Sequence, residues 1–142
     1  MDYLIGALIG VAVAAFAQLA GLDRARNFYP IVLIVIASDY ALFAAMGGST
    51  SALWLESLGL GAFAAVAVGG FRFSLWLAVA GLLAHGLFDA VHHWIIDNPG
   101  VPGWWPAFCL AADLALAACA AIRIRALGAA HRPPRRNGSQ EG

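Results

Sequence analysis

The sequence predicts an all-α membrane protein: five transmembrane helices, with the N-terminus outside and the C-terminus cytoplasmic. Three observations carry this. Of 142 residues, 62% are hydrophobic and only 11% charged, whereas soluble domains carry roughly 25% charged residues. Five apolar runs, Tyr3–Leu22, Phe28–Met46, Ser51–Gly69, Phe73–Ile96 and Trp104–Ile122, approach the ~20 residues that cross a bilayer. All eight basic residues are arginine, and five spans place every one of them on the same side, which marks the cytoplasm.

The same composition excludes a soluble domain and a disordered chain. A net charge of zero with few, scattered arginines also excludes a nucleic-acid binder. Strands are excluded because Ala, Gly and Leu dominate and no alternating pattern of about ten residues recurs.

The first run could be mistaken for a signal peptide, since Ala15-Phe16-Ala17 resembles a cleavage site. Such peptides begin with positive charge; here Asp2 precedes the run and Arg24 and Arg26 follow it, so a retained helix is expected. Gly6, Gly10, Ala14, Ala17 and Gly21 form a small-residue stripe suited to close packing, and Gln18 is read as a cross-helix tie. Tight connections make consecutive helices antiparallel neighbours. Gly47-Gly48-Ser49-Thr50 is a short turn, and Gly69-Gly70 is expected to close the third helix. Asn98-Pro99-Gly100-Val101-Pro102-Gly103 cannot continue a helix, while Pro106 suits a first helical turn. Tyr3, Trp54, Trp94, Trp104 and Trp105 are expected near the outer interface, Tyr29 and Trp76 near the inner one. The bundle is assigned to residues 1–127. Residues 128–142, rich in Arg, Pro, Gly, Ser and Gln, are expected to be a disordered basic cytoplasmic tail, an anchor of topology more than a lipid contact.

The chemistry lies in ionisable residues inside the runs. Each costs ~2.5–3.5 kcal/mol at mid-bilayer on insertion scales, so each needs a partner or a use. They are Asp39, Glu56, His85, Asp89, His92, His93 and Asp113. All are expected in the outer half: Asp39, Glu56, His85, Asp89, His92 and Asp113 lie about 6 to 16 Å beneath the outer helix ends at ~1.5 Å per residue. On the fourth helix His85, Asp89, His92 and His93 share one face at about 100° per residue. On the fifth, Cys109 and Asp113 share another. Four carboxylates have no arginine within the runs to neutralise them. Protons, imidazolium or a bound cation must do so, and imidazole with carboxylate suits zinc, iron or manganese.

The expected site is therefore a divalent metal held by His85, Asp89, His92, Glu56 and Asp113. His93, Asp39, Tyr40 and Cys109 stand as alternate ligands or supporting groups. The function read from this is cation binding, sensing or transport. The alternatives are a metal-dependent hydrolase acting on a lipid or lipid-linked substrate, a proton-linked site without metal, and a structural subunit of a membrane complex. A homo-oligomer stays open. Acids absent from the inner half argue against a through-path. Haem with two axial histidines is disfavoured because every intramembrane histidine is on one helix. No Ser or Cys is marked as a nucleophile, and a Cys109–Cys119 disulfide within one helix is excluded by geometry.

The pattern His85-Gly86-x-x-Asp89-x-x-His92-His93, followed by Asn98-Pro99-Gly100-x-Pro102-x-Trp104-Trp105-Pro106-x-Phe108-Cys109 and Asp113, resembles a group of small, uncharacterised bacterial integral membrane proteins. Arg24 and Phe28-Tyr29-Pro30 belong to the same likeness. It implies a bacterial inner membrane and supplies no activity. The pattern is neither the histidine boxes of membrane desaturases nor the HExxH of membrane zinc proteases.

The orientation is directly testable. A reporter active only outside the cytoplasm is expected to work when fused within 97–103 and to fail when fused after Gly128; the opposite result reverses the topology.

Overall fold

A computed structural model describes residues 1–130. The described chain is five α-helices: α1 (Asp2–Ala20), α2 (Phe28–Met46), α3 (Thr50–Arg72), α4 (Leu75–Ile95) and α5 (Trp105–Ala130), with a short 3-10 turn at Leu22–Arg24. All five are long and apolar enough to cross a membrane. Their outer surfaces are apolar, with Leu8, Phe16, Leu42, Leu58 and Leu87 all exposed, as lipid-facing side chains should be.

Local chemistry sets the boundaries. Gly21, at φ 73°, turns the chain out of α1 while its N–H bonds back to that helix; the left-handed conformation is why glycine stands there. Ser49 and Ser74 cap α3 and α4, accepting from Ala52 N and Trp76 N at 3.3 Å. Gly69-Gly70 does not end α3, which continues to Arg72. A Cβ on Gly70 would meet the Ala78 Cβ at 3.0 Å, so this glycine lets α3 and α4 approach rather than terminating a helix. Likewise α5 continues through Gly128 to Ala130. The remainder of the expected tail, 131–142, lies outside the described residues.

The order of packing departs from simple neighbour-to-neighbour antiparallel pairing. α2 packs on α3, α3 on α4 and α4 on α5, but α1 lies against α5 rather than extensively against α2, which follows it. The small-residue stripe explains this. Gly6, Gly10, Ala14 and Ala17 are buried; a Cβ on Gly6 would collide with the Phe108 carbonyl, and one on Gly10 would lie 2.6 Å from the Ala112 carbonyl. Such backbone approach is how helices associate where lipid removes the hydrophobic drive. Gln18 is exposed on α1 and ties no helices together.

The bundle has two unlike ends. At one, Asp23 of the 3-10 turn, buried, meets Arg123 with Oδ2 and Nε 2.6 Å apart. Arg26 donates to the Phe73 carbonyl, and Arg125 lies over the Trp76 ring. Tyr29, in the first turn of α2 at this end, is buried in the apolar cluster with Leu33, Ala78, Leu82 and Leu116. The other end carries no arginine among the described residues. There Tyr3, Trp54, Trp94 and Trp104 are exposed, and the 96–104 loop folds over the helix ends. Gly100 of that loop presses on the Phe43 carbonyl and on Gly47 of α2, leaving no space for a side chain.

Close backbone contact of this kind is measurable. Gly6→Val is expected to destabilise the detergent-solubilised protein by about 1–3 kcal/mol, as overpacking does, whereas Gly61→Ala, with nothing within 4 Å of its Cβ position, should leave the unfolding temperature unchanged.

Candidate metal centre

One face of α4 carries His85, Asp89 and His92, all buried. The seven-residue step from His85 to His92 keeps both on that face but separates them by about 10 Å along the axis at ~1.5 Å per residue. Each histidine therefore meets a different acid from a different helix.

The deeper group joins α4 to α5. His85 Nδ1 lies 2.7 Å from Asp113 Oδ2 and 3.5 Å from Asp89 Oδ2. Asp89 and Asp113 are both 0% exposed. The chain brings them together through Gly86: a Cβ there would stand 3.2 Å from the Asp113 Cβ and 3.4 Å from the Leu110 carbonyl. Glycine beside His85 thus lets α5 come near enough to deliver its carboxylate. Ligand atoms of His85, Asp89 and Asp113 all lie within 4.8 Å of one another. Phe63 stands edge-on to the His85 ring at 4.8 Å, and Phe88 lies beside it, so the surroundings are apolar.

The upper group joins α4 to α3 and the loop. His92 Nε2 is 2.7 Å from Glu56 Oε1. Asn98 donates from Nδ2 to the same Glu56 oxygen at 2.9 Å and to the Tyr40 carbonyl at 3.0 Å, and its Oδ1 accepts from Gly100 N. Tyr40 of α2 connects the two levels. Its ring stacks on His92 with centroids 4.0 Å apart and 19° between planes, and lies 6.2 Å from the His85 ring.

The five residues expected to form one shell are therefore divided. His85, Asp89 and Asp113 converge; Glu56 and His92 form a separate hydrogen-bonded pair. Ligands of one ion must sit within ~2.0–2.2 Å of a common point, and two helical turns along α4 exceed that reach. Sharing a helix face placed the residues in one wall but not at one point. His93 is exposed and lies tilted against the Trp94 ring, apart from both groups. Asp39 is half-buried on α2, lining a lateral cleft with Cys109 and Asp113. Sequence reasoning treated Asn98 only as part of a helix-breaking loop. Its reach to α2 and α3 together depends on how the loop folds back, which no local pattern announces.

The two groups also differ in saturation. In the upper group Glu56 Oε1 takes bonds from both His92 and Asn98. In the deeper group Oδ1 of Asp89 and Oδ1 of Asp113 are buried without a hydrogen-bond partner, and Oδ2 of Asp89 has only the 3.5 Å contact to His85. Buried polar atoms are nearly always paired, so orphans at one place point to a missing ion, proton or water. Among the described residues the arginine ion pair is Arg123–Asp23, at the opposite end.

One member of the group, Asp89, borders a cleft at the arginine-free end. This cleft of about 530 Å³ under the 96–104 loop is lined by Tyr3, His93, Asp97 and Asn98 and has Asp89 and His92 in its walls. Toward the other end, the packed apolar cluster closes the bundle.

Comparison with protein-family models, curated proteins and solved structures finds no match, so the motif likeness assigns no family.

The upper group makes its own prediction. Asn98→Ala removes a buried donor shared by α2 and α3, and is expected to lower stability by about 1–3 kcal/mol. The loss should appear as a reduced unfolding temperature and as faster proteolysis within the 96–104 loop.

Proposed function

We propose that this protein binds a divalent metal cation at His85, Asp89 and Asp113, inside a multi-pass membrane bundle. The observation that carries the proposal is the convergence of two fully buried carboxylates on one imidazole nitrogen, with ligand atoms of His85, Asp89 and Asp113 within 4.8 Å of one another and Oδ1 of both acids without a hydrogen-bond partner. Two carboxylates and an imidazole left in an apolar site need positive charge, and a divalent ion neutralises both acids at once. Nitrogen with carboxylate oxygen is a donor set for zinc, iron or manganese. Asp89 and Asp113 would supply carboxylate oxygens and His85 its Nδ1. Tyr40, whose hydroxyl lies beside Asp89, is placed to orient a ligand or a bound water.

The role that follows is binding or sensing at a dead-end site rather than transport. The polar cleft leads to Asp89 from one end, and Leu33, Leu82 and Leu116 fill the interior beyond it. We take the arginine-free end, with its exposed tryptophans, to face outward from a bacterial inner membrane. The structural reading fits the upper group instead: Glu56 Oε1 takes bonds from both His92 and Asn98, which fasten the loop to α2, α3 and α4.

The two roles separate on mutation. Protein purified in detergent and loaded in turn with zinc, manganese or ferrous ion is expected to retain about one equivalent of one of them. His85→Ala and Asp113→Asn should weaken retention about tenfold or more, while Glu56→Gln should keep the metal and lose stability. Retention should fall as pH is lowered, because the ion displaces the proton shared by His85 and Asp113. Wild-type protein that retains none of the three metals, and unfolds at the same temperature with and without chelator, overturns the proposal.

A further inference from the structure

Because α1 leans on α5 and leaves α2, the bundle is open on its side. Between α1, α2 and α5 lies a cleft of about 280 Å³. Its rim is apolar and exposed at Ile9, Val13, Ile31 and Val35. Its lining is mostly apolar, with Asp39, Cys109 and Asp113 as the ionisable side chains among it. From Ile31 to Asp39 it runs about 12 Å along α2 at ~1.5 Å per residue, roughly parallel to the spans.

Asp113 has two faces in this arrangement. Its Oδ2 is engaged by His85, while its Oδ1 is buried without a partner, on a side chain that is 0% exposed and lines the cleft. Asp39 adds a second carboxylate. A cleft opening through the flank of three membrane-crossing helices opens onto hydrocarbon, so its occupant must be apolar along most of its length. The floor presents acceptors and no cationic side chain among the described residues, so the buried end of the occupant must donate a hydrogen bond. Against the cleft's own side chains, Asp39 and Asp113, a carboxylate or phosphate end would meet like charge. A helix of another chain, about 10 Å across, is too wide to reach the floor of so small a cleft.

We propose that the α1–α2–α5 cleft binds the hydrocarbon chain of a single-chain lipid whose hydrogen-bond-donating end, a hydroxyl in the simplest case, is received by Asp113 and Asp39. The chain enters from the bilayer, while water reaches the other side of the same group along the polar cleft that ends at Asp89. The chain site stands on the cleft and on the free oxygen of Asp113. That its end group is brought to a metal rests on the cation reading above.

The probe is hexadecanol carrying a mid-chain diazirine, photolysed with the detergent-solubilised full chain and mapped by peptide mass spectrometry. Labelling is expected to concentrate on Ile9–Val13 and Ile31–Asp39. Excess hexadecanol should displace it; hexadecane should not. Val35→Trp, a lipid-exposed position whose larger side chain fills the cleft, should reduce labelling about tenfold, equivalent to ~1.4 kcal/mol, with the unfolding temperature unchanged. Labelling spread over all apolar helix faces, or unchanged in Val35→Trp, overturns the chain site. Equal competition by hexadecane overturns the recognition of a donor end. Metal content measured on the same samples keeps the two readings apart. Metal retained with diffuse labelling sinks only the lipid site, and focused labelling without metal sinks only the cation site.

Discussion

Two carboxylates held against one imidazole, in an apolar interior without a cationic side chain nearby, is the constraint around which the rest of this fold is arranged. An ionised acid in such a place is tolerated only if something positive stands beside it. In the deeper group His85 reaches both Asp89 and Asp113 through one nitrogen, at 3.5 and 2.7 Å. One ring nitrogen cannot satisfy four carboxylate oxygens, and Oδ1 of each acid stays without a hydrogen bond. The deficit is local, because the arginines of the described chain sit at the far end of the spans and Arg123 is engaged with Asp23.

Backbone proximity builds that constraint. Gly86 admits the Asp113 Cβ to within contact of α4, and Gly6 and Gly10 seat α1 on the opposite flank of α5. α5 is thus held between two glycine-bearing helices, which fixes where its carboxylate points. The same preference of α1 for α5 draws it away from α2 and leaves the lateral cleft. One packing choice, made by small residues, both positions Asp113 and opens a route to it from the side.

Much of this was legible in the sequence. Five spans follow from apolar run length, and the α1 stripe from its spacing of small residues. The ionisable residues inside the spans marked where chemistry could occur, since hydrocarbon penalises them. What could not be read was which of them meet. Helical angle is available from sequence and depth only roughly, so His85 and His92 looked like partners although two turns divide them. Gly70 looked like a terminator because glycine often stops helices in soluble proteins, whereas its service here is to the approach of Ala78. Asn98 was invisible as a site residue, because its three hydrogen bonds run to α2, α3 and its own loop.

The two histidine–acid pairs on α4 offer an internal comparison within one protein. Both have an imidazole nitrogen 2.7 Å from a carboxylate oxygen, both are buried, and both use α4 as their base. They differ in what surrounds the bond. Glu56 is given a second donor by Asn98, and His92 is covered by the Tyr40 ring, so that pair is complete without further partners. Asp113 is given no second donor, and its neighbour is another acid. If buried polar groups here served only to fasten helices, the economical arrangement would be the first one repeated. A second acid beside His85 makes the deeper pair worse as a fastening and better as a cage for positive charge. That difference, more than the presence of histidine or aspartate, sets the proposed cation site apart from a structural bond in this bundle.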